Sequence, residues 1–478
     1  MNSKPFFSIL LIASALTCFL PAVQSKQEDK TNVLFIVVDD LNDWAFSKLG
    51  GNRQTITPNF DKLASQSVLF SNAHCTAPAC GPSRASAMSG TRPSTSGNYT
   101  NGHDWRKNSF FDDVPMMPKY FMNHGYHVLG GGKIFHTNET RKTPQLQGHN
   151  DPDAWHEFFP SKTQQLPEPS RPPEPYFKGS GHFSFGPTQE SVEKMGDHKM
   201  INWAIDELKK KHDKPFFLAT GIYRPHLPWH VPAEFFDKYK VEDIELPENR
   251  PDWREQFEVS INKMGEYRRG WGRAFKRHDR VEAAVLAYHA CISYADYELG
   301  RLLEALEESQ HADNTIVVLW SDHGWHLGEK GTWAKFTLWE ESTRIPLLFR
   351  TPSLTSAGSI CTEAVSSLDI YPTLLELAGL PTNEKNEGES LASLIRQPSK
   401  EKDSPAITTL EKDSHSVRSD DYRYIRMADG AEAFIDHTSD PGEWKNLIDD
   451  PNYQSLIAEH RKWLPEQNAP AQKSSRLQ

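Results

Sequence analysis

Cys80-Gly81-Pro82-Ser83-Arg84, followed by the small residues Ala85-Ser86-Ala87, couples a nucleophilic side chain to a helix start. Pro82 has no amide hydrogen to leave unbonded in a first helical turn, and the small residues after it favour continuing the helix, so Cys80 is expected at a helix N-terminus. Free backbone N–H groups and the helix dipole favour an anion there. Arg84, one turn further on, is expected to hold an oxygen at position 80 in its charged form. Asp39, Asp40 and Asp322, with His323 beside the last, form a mainly carboxylate set suited to Ca2+, with Mg2+ the alternative, rather than to a thiolate-seeking ion. Such a cation would acidify a nucleophile and neutralise anionic oxygens. Lys133, His136, His226 and Lys335 add cations and proton carriers. Singly, these residues read as surface cations, hydrogen-bonded histidines or turn carboxylates.

Their placement on the expected elements gives them a common meaning. Short β-branched and aromatic runs alternate with helical patterns, which predicts a mostly parallel sheet covered by helices. The clearest strands are Val33 to Val38, Tyr126 to Leu129, Pro215 to Thr220, Thr315 to Trp320 and Pro346 to Phe349. Glu282 to Leu306 reads as a long amphipathic helix, with Leu286, Ile292, Leu299, Leu302, Leu303 and Leu306 on one face, and Met200 to Lys210 as a second helix. Ligands of such sheets bind beyond the carboxyl ends of the strands. Four strands end there in chemistry: Asp39-Asp40, Lys133 with His136, Arg224-Pro225-His226, and Asp322-His323. Gly130-Gly131-Gly132-Lys133-Ile134 lacks the spacing and the Ser/Thr of a phosphate loop.

Residues 140–190 form a Pro-rich polar insertion. Residues 245–280 carry Arg268, Arg269, Arg273, Lys276, Arg277 and Arg280, either a solvated charged surface or a wall that grips a polyanion. The alternation fades after Leu391 to Arg396, and strand-like Tyr424-Ile425 and Phe434-Ile435 follow in a small C-terminal subdomain.

The chain has 478 residues, 37% hydrophobic and 11% aromatic, with 13 Trp and 33 Pro, which suits a globular protein with long stiffened loops. A formal charge of -11 argues against electrostatic attraction to nucleic acid or anionic membranes, so an anionic ligand needs a local basic site. Lys4, the apolar stretch Phe6 to Leu20 and small residues through Ser25 read as a signal peptide over 1–25, hence a secreted or periplasmic protein; a membrane anchor and a lipoprotein through Cys18 are the alternatives. The other 4 cysteines, Cys75, Cys80, Cys291 and Cys361, are too few for a disulfide scaffold, and one bridge remains open. Asn98-Tyr99-Thr100 and Asn138-Glu139-Thr140 fit the glycosylation pattern.

The Cys80 run resembles the Cys-x-Pro-Ser-Arg signature of type I, formylglycine-dependent sulfatases. Asn32 to Asp40, Thr57-Pro58-Asn59, Gly132-Lys133 with His136, Pro225-His226, Ser321-Asp322-His323-Gly324-Trp325 and Trp333-Ala334-Lys335 together look like the iduronate-2-sulfatase branch, across residues 32–376. Asp440-Pro441-Gly442-Glu443 with Asn446-Leu447 is similar to the family's C-terminal signature. The resemblance implies an alkaline-phosphatase-like α/β fold, with a large, mostly parallel sheet in a catalytic domain over 26–398 and a small α/β subdomain over 399–478. It implies that Cys80 is oxidised to formylglycine by a maturation enzyme and that its hydrate attacks sulfate monoesters on a sulfated, possibly uronate-containing, polysaccharide or oligosaccharide. Asp39, Asp40, residue 80, Asp322 and His323 would bind the metal, and Arg84 with Lys133 would hold the hydrate. His323 departs from the Asn common in the family. His136 would assist the nucleophile and the later release of sulfate. Lys335 and His226 would grip the sulfate, with His226 as proton donor to the leaving alcohol, and Trp325 suits either a sugar face or the core. The alternatives are a phosphate or phosphonate ester hydrolase of the same architecture and a non-catalytic sulfated-glycan-binding protein.

Overall fold

In the computed structural model the apolar runs become a stack of strands whose order places four polar strand ends side by side. The structure describes Met1 and residues 30–47, 54–136, 153–160, 183–266, 269–353 and 356–473. Residues 2–25 of the signal segment, Cys18 among them, and Asn138, Arg268 and most of 140–190 lie outside the described residues.

The strands, in chain order, are β1 (Asn32–Val38), β2 (Val68–Phe70), β3 (Ala73–His74), β4 (His127–Gly132), β5 (Glu157–Phe159), β6 (Phe216–Ile222), β7 (Thr315–Trp320), β8 (His326–Leu327), β9 (Trp333–Ala334), β10 (Leu347–Arg350), β11 (Ile360–Cys361), β12 (Val365–Ser366), β13 (Ala406–Glu411), β14 (Ser414–Arg418), β15 (Tyr422–Arg426) and β16 (Glu432–Asp436). The 8-stranded sheet has the order β11-β2-β10-β7-β1-β6-β4-β5. β7, β1, β6, β4 and β5 run parallel, and β10 is antiparallel to both of its neighbours. All seven residues of β1 are buried, as a parallel strand covered on both faces requires. Leu34, Ile36 and Val38 enter one core layer while Val33, Phe35 and Val37 enter the other.

The helix Val281–Glu307 forms where its periodicity predicts, yet it is not amphipathic through its middle. Every residue from Ala284 to Asp296 is buried, polar His289 and Asp296 included. It is wrapped by the helices Pro58–Ser65, Ala233–Phe236 and Gly196–Lys209, so an apolar stripe alone underestimates its burial. Gly196–Lys209 begins four residues before the expected start, because the polar Asp197 and His198 of its first turn are buried against Tyr223, Arg224 and Glu298.

β13 to β16 make a 4-stranded antiparallel sheet that leans on the main body. Its Ile425, Ala433 and Ile435 share a core with Trp253, Phe257, Leu338 and Trp339. The buried Arg423 bridges Glu340 and Glu443. The Thr409 amide donates to the Thr76 carbonyl at 2.8 Å and the Thr408 hydroxyl to the Cys75 carbonyl at 2.6 Å, so this sheet steadies the segment that leads into Cys80. The chain then returns to the loop 94–104: the Ala469 amide donates to the Ser94 carbonyl at 2.7 Å, and the Tyr99 hydroxyl to the Ala469 carbonyl at 2.8 Å. Asn98 is 1% exposed, so its glycosylation pattern offers no acceptor in the folded chain. Cys75, Cys80, Cys291 and Cys361 are all buried free thiols. Among the described residues no helix is long and apolar enough to cross a membrane.

Candidate active site

Four neighbouring parallel strands, β7, β1, β6 and β4, deliver Asp322-His323, Asp39-Asp40, His226 and Lys133 with His136 to one rim, as the strand-end reading expects. The turn after β1 is unusual. Asp40 has φ 62°, a left-handed conformation that a short polar side chain tolerates best. The Tyr288 hydroxyl donates to the Asp40 carbonyl at 2.5 Å and the Asp40 amide donates to Asp322 at 3.2 Å, which holds the turn. At the end of β4 the glycines are a packing requirement. A Cβ on Gly132, whose φ is 73°, would sit 2.1 Å from the Gly221 carbonyl oxygen of β6, and this close approach brings Lys133 into the rim.

The helix Cys80–Ser89 starts at the expected residue and is buried along its whole length. Gly90, at φ 72°, closes it in the left-handed conformation typical of helix ends. Ala79 offers no side-chain cap; instead the Asn101 side chain accepts from the Gly81 amide at 2.7 Å. The Ser83 hydroxyl donates to the Asp322 carbonyl at 2.6 Å and fastens the helix to the end of β7.

Cys80 Sγ lies 3.0 Å from Lys335 Nζ, 3.3 Å from His323 Nε2 and 3.7 Å from Lys133 Nζ. Burial opposes ionisation of this thiol, yet Lys133, Lys335 and His323 hold it well below its ordinary value. The surroundings therefore favour negative charge at position 80. Lys335 also pairs with Asp40 at 2.6 Å and Lys133 with Asp39. Burial disfavours the Lys335 charge, but Asp40 and Cys80 hold its pKa above the usual lysine range. His136 is half-buried with both ring nitrogens withdrawn from water near Cys80, and desolvation pushes it down toward the neutral form.

Arg84 lies differently from the expectation. Its Nε meets Asp322 and its Nη2 meets Asp39, each at 2.8 Å, and its Nη1 donates to the Lys133 and Ile134 carbonyls at 2.5 and 3.0 Å. The guanidinium thus orients two carboxylates and the β4 loop. Asp322 would rise on burial, but Arg84 and His323 hold it below the usual carboxylate range. Asp39, where burial outweighs Lys133, is pushed up to about 6.

Asp40, Cys80, Asp322 and His323 each offer a donor atom within 4.8 Å of the others, and Asp39 joins Asp40 and His226 in a second group. Two observations fit a divalent cation. Asp40 Oδ2 is buried without a hydrogen-bond partner. His323 Nδ1 lies 3.1 Å from the Gly324 carbonyl and can donate to it, so Nε2 is the nitrogen that faces the carboxylates, where Asp322 and Cys80 favour a positive charge that a cation would replace. Trp325 is 2% exposed, with Lys335 Nζ 5.4 Å from its ring centroid. It packs on Trp229 and Phe183 under the lysine, so the core alternative holds and it presents no face for a sugar.

The sulfatase family model matches residues 31–380, and that of the N-sulphoglucosamine sulphohydrolase C-terminal region matches residues 328–469. This chain belongs to the sulfatase family. As a sulfatase it is a sulfuric ester hydrolase. It is 40% identical to a Formosa agariphila sulfatase, over 93% of this chain and 88% of that one. It is 31% identical to human iduronate 2-sulfatase, over 74% of this chain and 70% of that one. Its fold is shared with a phosphonate monoester hydrolase from Silicibacter pomeroyi at a TM-score of 0.74 and 21% identity, covering 91% and 94% of the two chains.

Beside residue 80 the sulfatase opens into a cleft of about 750 Å3. Pro78, Ala79 and Phe336 form the end next to residue 80, while Asn101, Lys263, Glu411 and Met427 reach it from four separate segments. The sequence marks the segment Asn98 to Trp105, which holds Asn101, as a substrate-reading loop without giving any residue in it a part. Lys263, at the end of the short helix Val259–Lys263, escaped the sequence reading, because only long-range contacts bring it to the cleft.

Proposed function

We propose that this sulfatase removes sulfate monoesters from a sulfated carbohydrate, a polysaccharide or its oligosaccharides, uronate-containing among the candidates. In this reading residues 26–398 form the catalytic unit, 399–478 its subdomain, and Lys4 with Phe6 to Leu20 directs export to a secreted or periplasmic location. The observation that carries the reading is the position of Cys80: at a helix start, within 3.0 Å of Lys335, in an environment that draws negative charge. Its Sγ stands in for an oxygen of the hydrated aldehyde. Oxidised by a maturation enzyme and hydrated, residue 80 supplies a geminal diol as the nucleophile toward sulfur. A calcium ion, or magnesium, on Asp40, Asp322, His323 and residue 80, with Asp39 beside them, would supply charge neutralisation and acidify that nucleophile.

The side chains divide the remaining work. Lys133 and Lys335 hold anionic oxygens at the helix start, where Gly81 and Asn101 fix the backbone. Arg84 aims Asp39 and Asp322 and keeps Asp322 ionised. His136, neutral through burial, assists the nucleophile and later takes the proton of the hydroxyl left on residue 80, so that the aldehyde re-forms as the carbon–oxygen bond to sulfate breaks and sulfate leaves. His226 lies at the opening with its side chain 23% exposed. Its Nδ1 donates to the Leu227 carbonyl at 2.6 Å, so the exchangeable proton of the imidazolium is on Nε2, the atom that gives it to the leaving alcohol. The name of the iduronate 2-sulfatase relative and the cleft beside position 80 support a sugar substrate.

The test has two parts. The mass of the peptide containing residue 80, from the native host, should show formylglycine in place of the thiol. Rates on a sulfate ester and its phosphate counterpart should favour sulfate by at least tenfold. A phosphate preference would assign the site to phosphate or phosphonate ester hydrolysis, and a persistent thiol with no turnover would make the protein a glycan binder.

A further inference from the structure

A second cavity, of about 270 Å3, has a floor of Leu327 and Trp333 from the β8–β9 hairpin. Four cations, Arg254, Arg269, Arg273 and Lys276, line it. None of the four takes part in an ion pair among the described residues, in a protein whose formal charge is -11. Some surface cations elsewhere are paired, as Lys62 is with Glu307 and Arg461 with Glu432, so what sets these four apart is that they converge on one cavity. Arg269 is the informative member. It is 9% exposed, its Nη2 donates to the Asn262 carbonyl, and its Nε is buried without a partner. Burial and the nearby Arg254 and Arg273 push its pKa down, opposed by the exposed Glu266, which forms no ion pair with it. A guanidinium edge withdrawn from water and left unbonded is costly unless an anion completes it.

The site is also tied to the reaction centre. Trp333 and Lys335 are two residues apart, so their Cα atoms are at most about 7 Å from each other along the chain. A ligand that steadies the hairpin therefore bears on the lysine beside position 80.

We propose that this cavity is a second anion site, taking a sulfate or carboxylate group on a sugar unit of a polymeric substrate other than the unit whose ester is cleaved. The inference rests on the carbohydrate reading above, and its test is a binding measurement in which that reading is not at stake. Dextran sulfate, and separately inorganic sulfate at equal sulfate concentration, are titrated into the full-length Cys80→Ala protein, which cannot turn over. Arg273→Gln/Lys276→Gln removes two exposed members of the cluster, and Arg277→Gln/Arg280→Gln removes the same charge from exposed positions outside the cavity. The expected result is about tenfold weaker dextran sulfate binding in the first variant, with a log–log salt slope lower by about two, and a change under threefold in the second. Equal losses in both variants, or no loss in the first, would overturn the proposal. Inorganic sulfate binding as tightly as the polymer would also overturn it, by making a free oxyanion the occupant. A failure of the carbohydrate reading registers elsewhere, in the turnover of the parent protein on glycan and aryl sulfates.

Discussion

The rim of the sulfatase and the cleft beside it are built on opposite plans. The rim comes from the ends of four adjacent parallel strands and one buried helix, and its charged side chains bond one another: Arg84 to Asp39 and Asp322, Lys335 to Asp40, Lys133 to Asp39. The cleft is assembled from the loop at Asn101, the helix end at Lys263 and the hairpins at Glu411 and Met427, which belong to distant parts of the chain. Groups that must keep sub-ångström geometry stand on rigid strands, while the cleft stands on loops and turns that can vary without disturbing them.

Four experiments break or sharpen this contrast. The largest effect belongs to the rim: Cys80→Ala is expected to lower kcat on an aryl sulfate by at least about a thousandfold, with the thermal midpoint nearly unchanged. Residual activity near the parent value would remove position 80 from the reaction. Dialysis against a chelator comes next, with a loss of about a hundredfold or more that added calcium reverses, followed by initial rates. The cleft should answer differently. Lys263→Ala is expected to raise KM for a sulfated oligosaccharide by roughly tenfold and leave kcat on a small aryl sulfate within twofold, since it would lose binding and no transition-state contact. An equal fall of kcat on both substrates would erase the distinction between the two regions.

The smallest effect concerns stability. His289, in the long helix, and His415, in the C-terminal sheet, are both pushed down to about 4 by burial. Their folded pKa values lie below the ordinary 6.5, so the unfolded chain takes up protons first as the pH falls. The stability they contribute is complete above about pH 6.5 and is lost as the pH falls through about 4. Each site is worth about 3 kcal/mol over that window. Urea midpoints at pH 7 and pH 4.5 should therefore differ less in His415→Gln than in the parent.

Much of the rim was legible because hydrophobic runs mark buried parallel strands and the residues just after them are forced into one line. β7 begins and ends where its sequence predicts, and β1 differs by one residue. What was not legible depends on partners far along the chain. The sequence assigns Arg84 to the nucleophile, whereas the fold turns it onto carboxylates from β1 and β7. Trp325 looks available for stacking until Phe183 and Trp229 close over it. The segment Asn98 to Trp105 is marked in the sequence as a substrate-reading loop, but the bond that Asn101 makes is not, since it accepts from a Gly81 amide twenty residues earlier. Lys276 and Arg273 are visible as charges in the sequence, but only the hairpin at Trp333 turns them into the wall of a cavity.

The bonds from Ala469 to Ser94 and Tyr99 make the far end of the polypeptide a brace for the loop that presents Asn101. Trimming the last dozen described residues to obtain a tidier protein for crystals, or fusing a bulky tag there, would loosen the loop beside residue 80 without touching any residue of the rim.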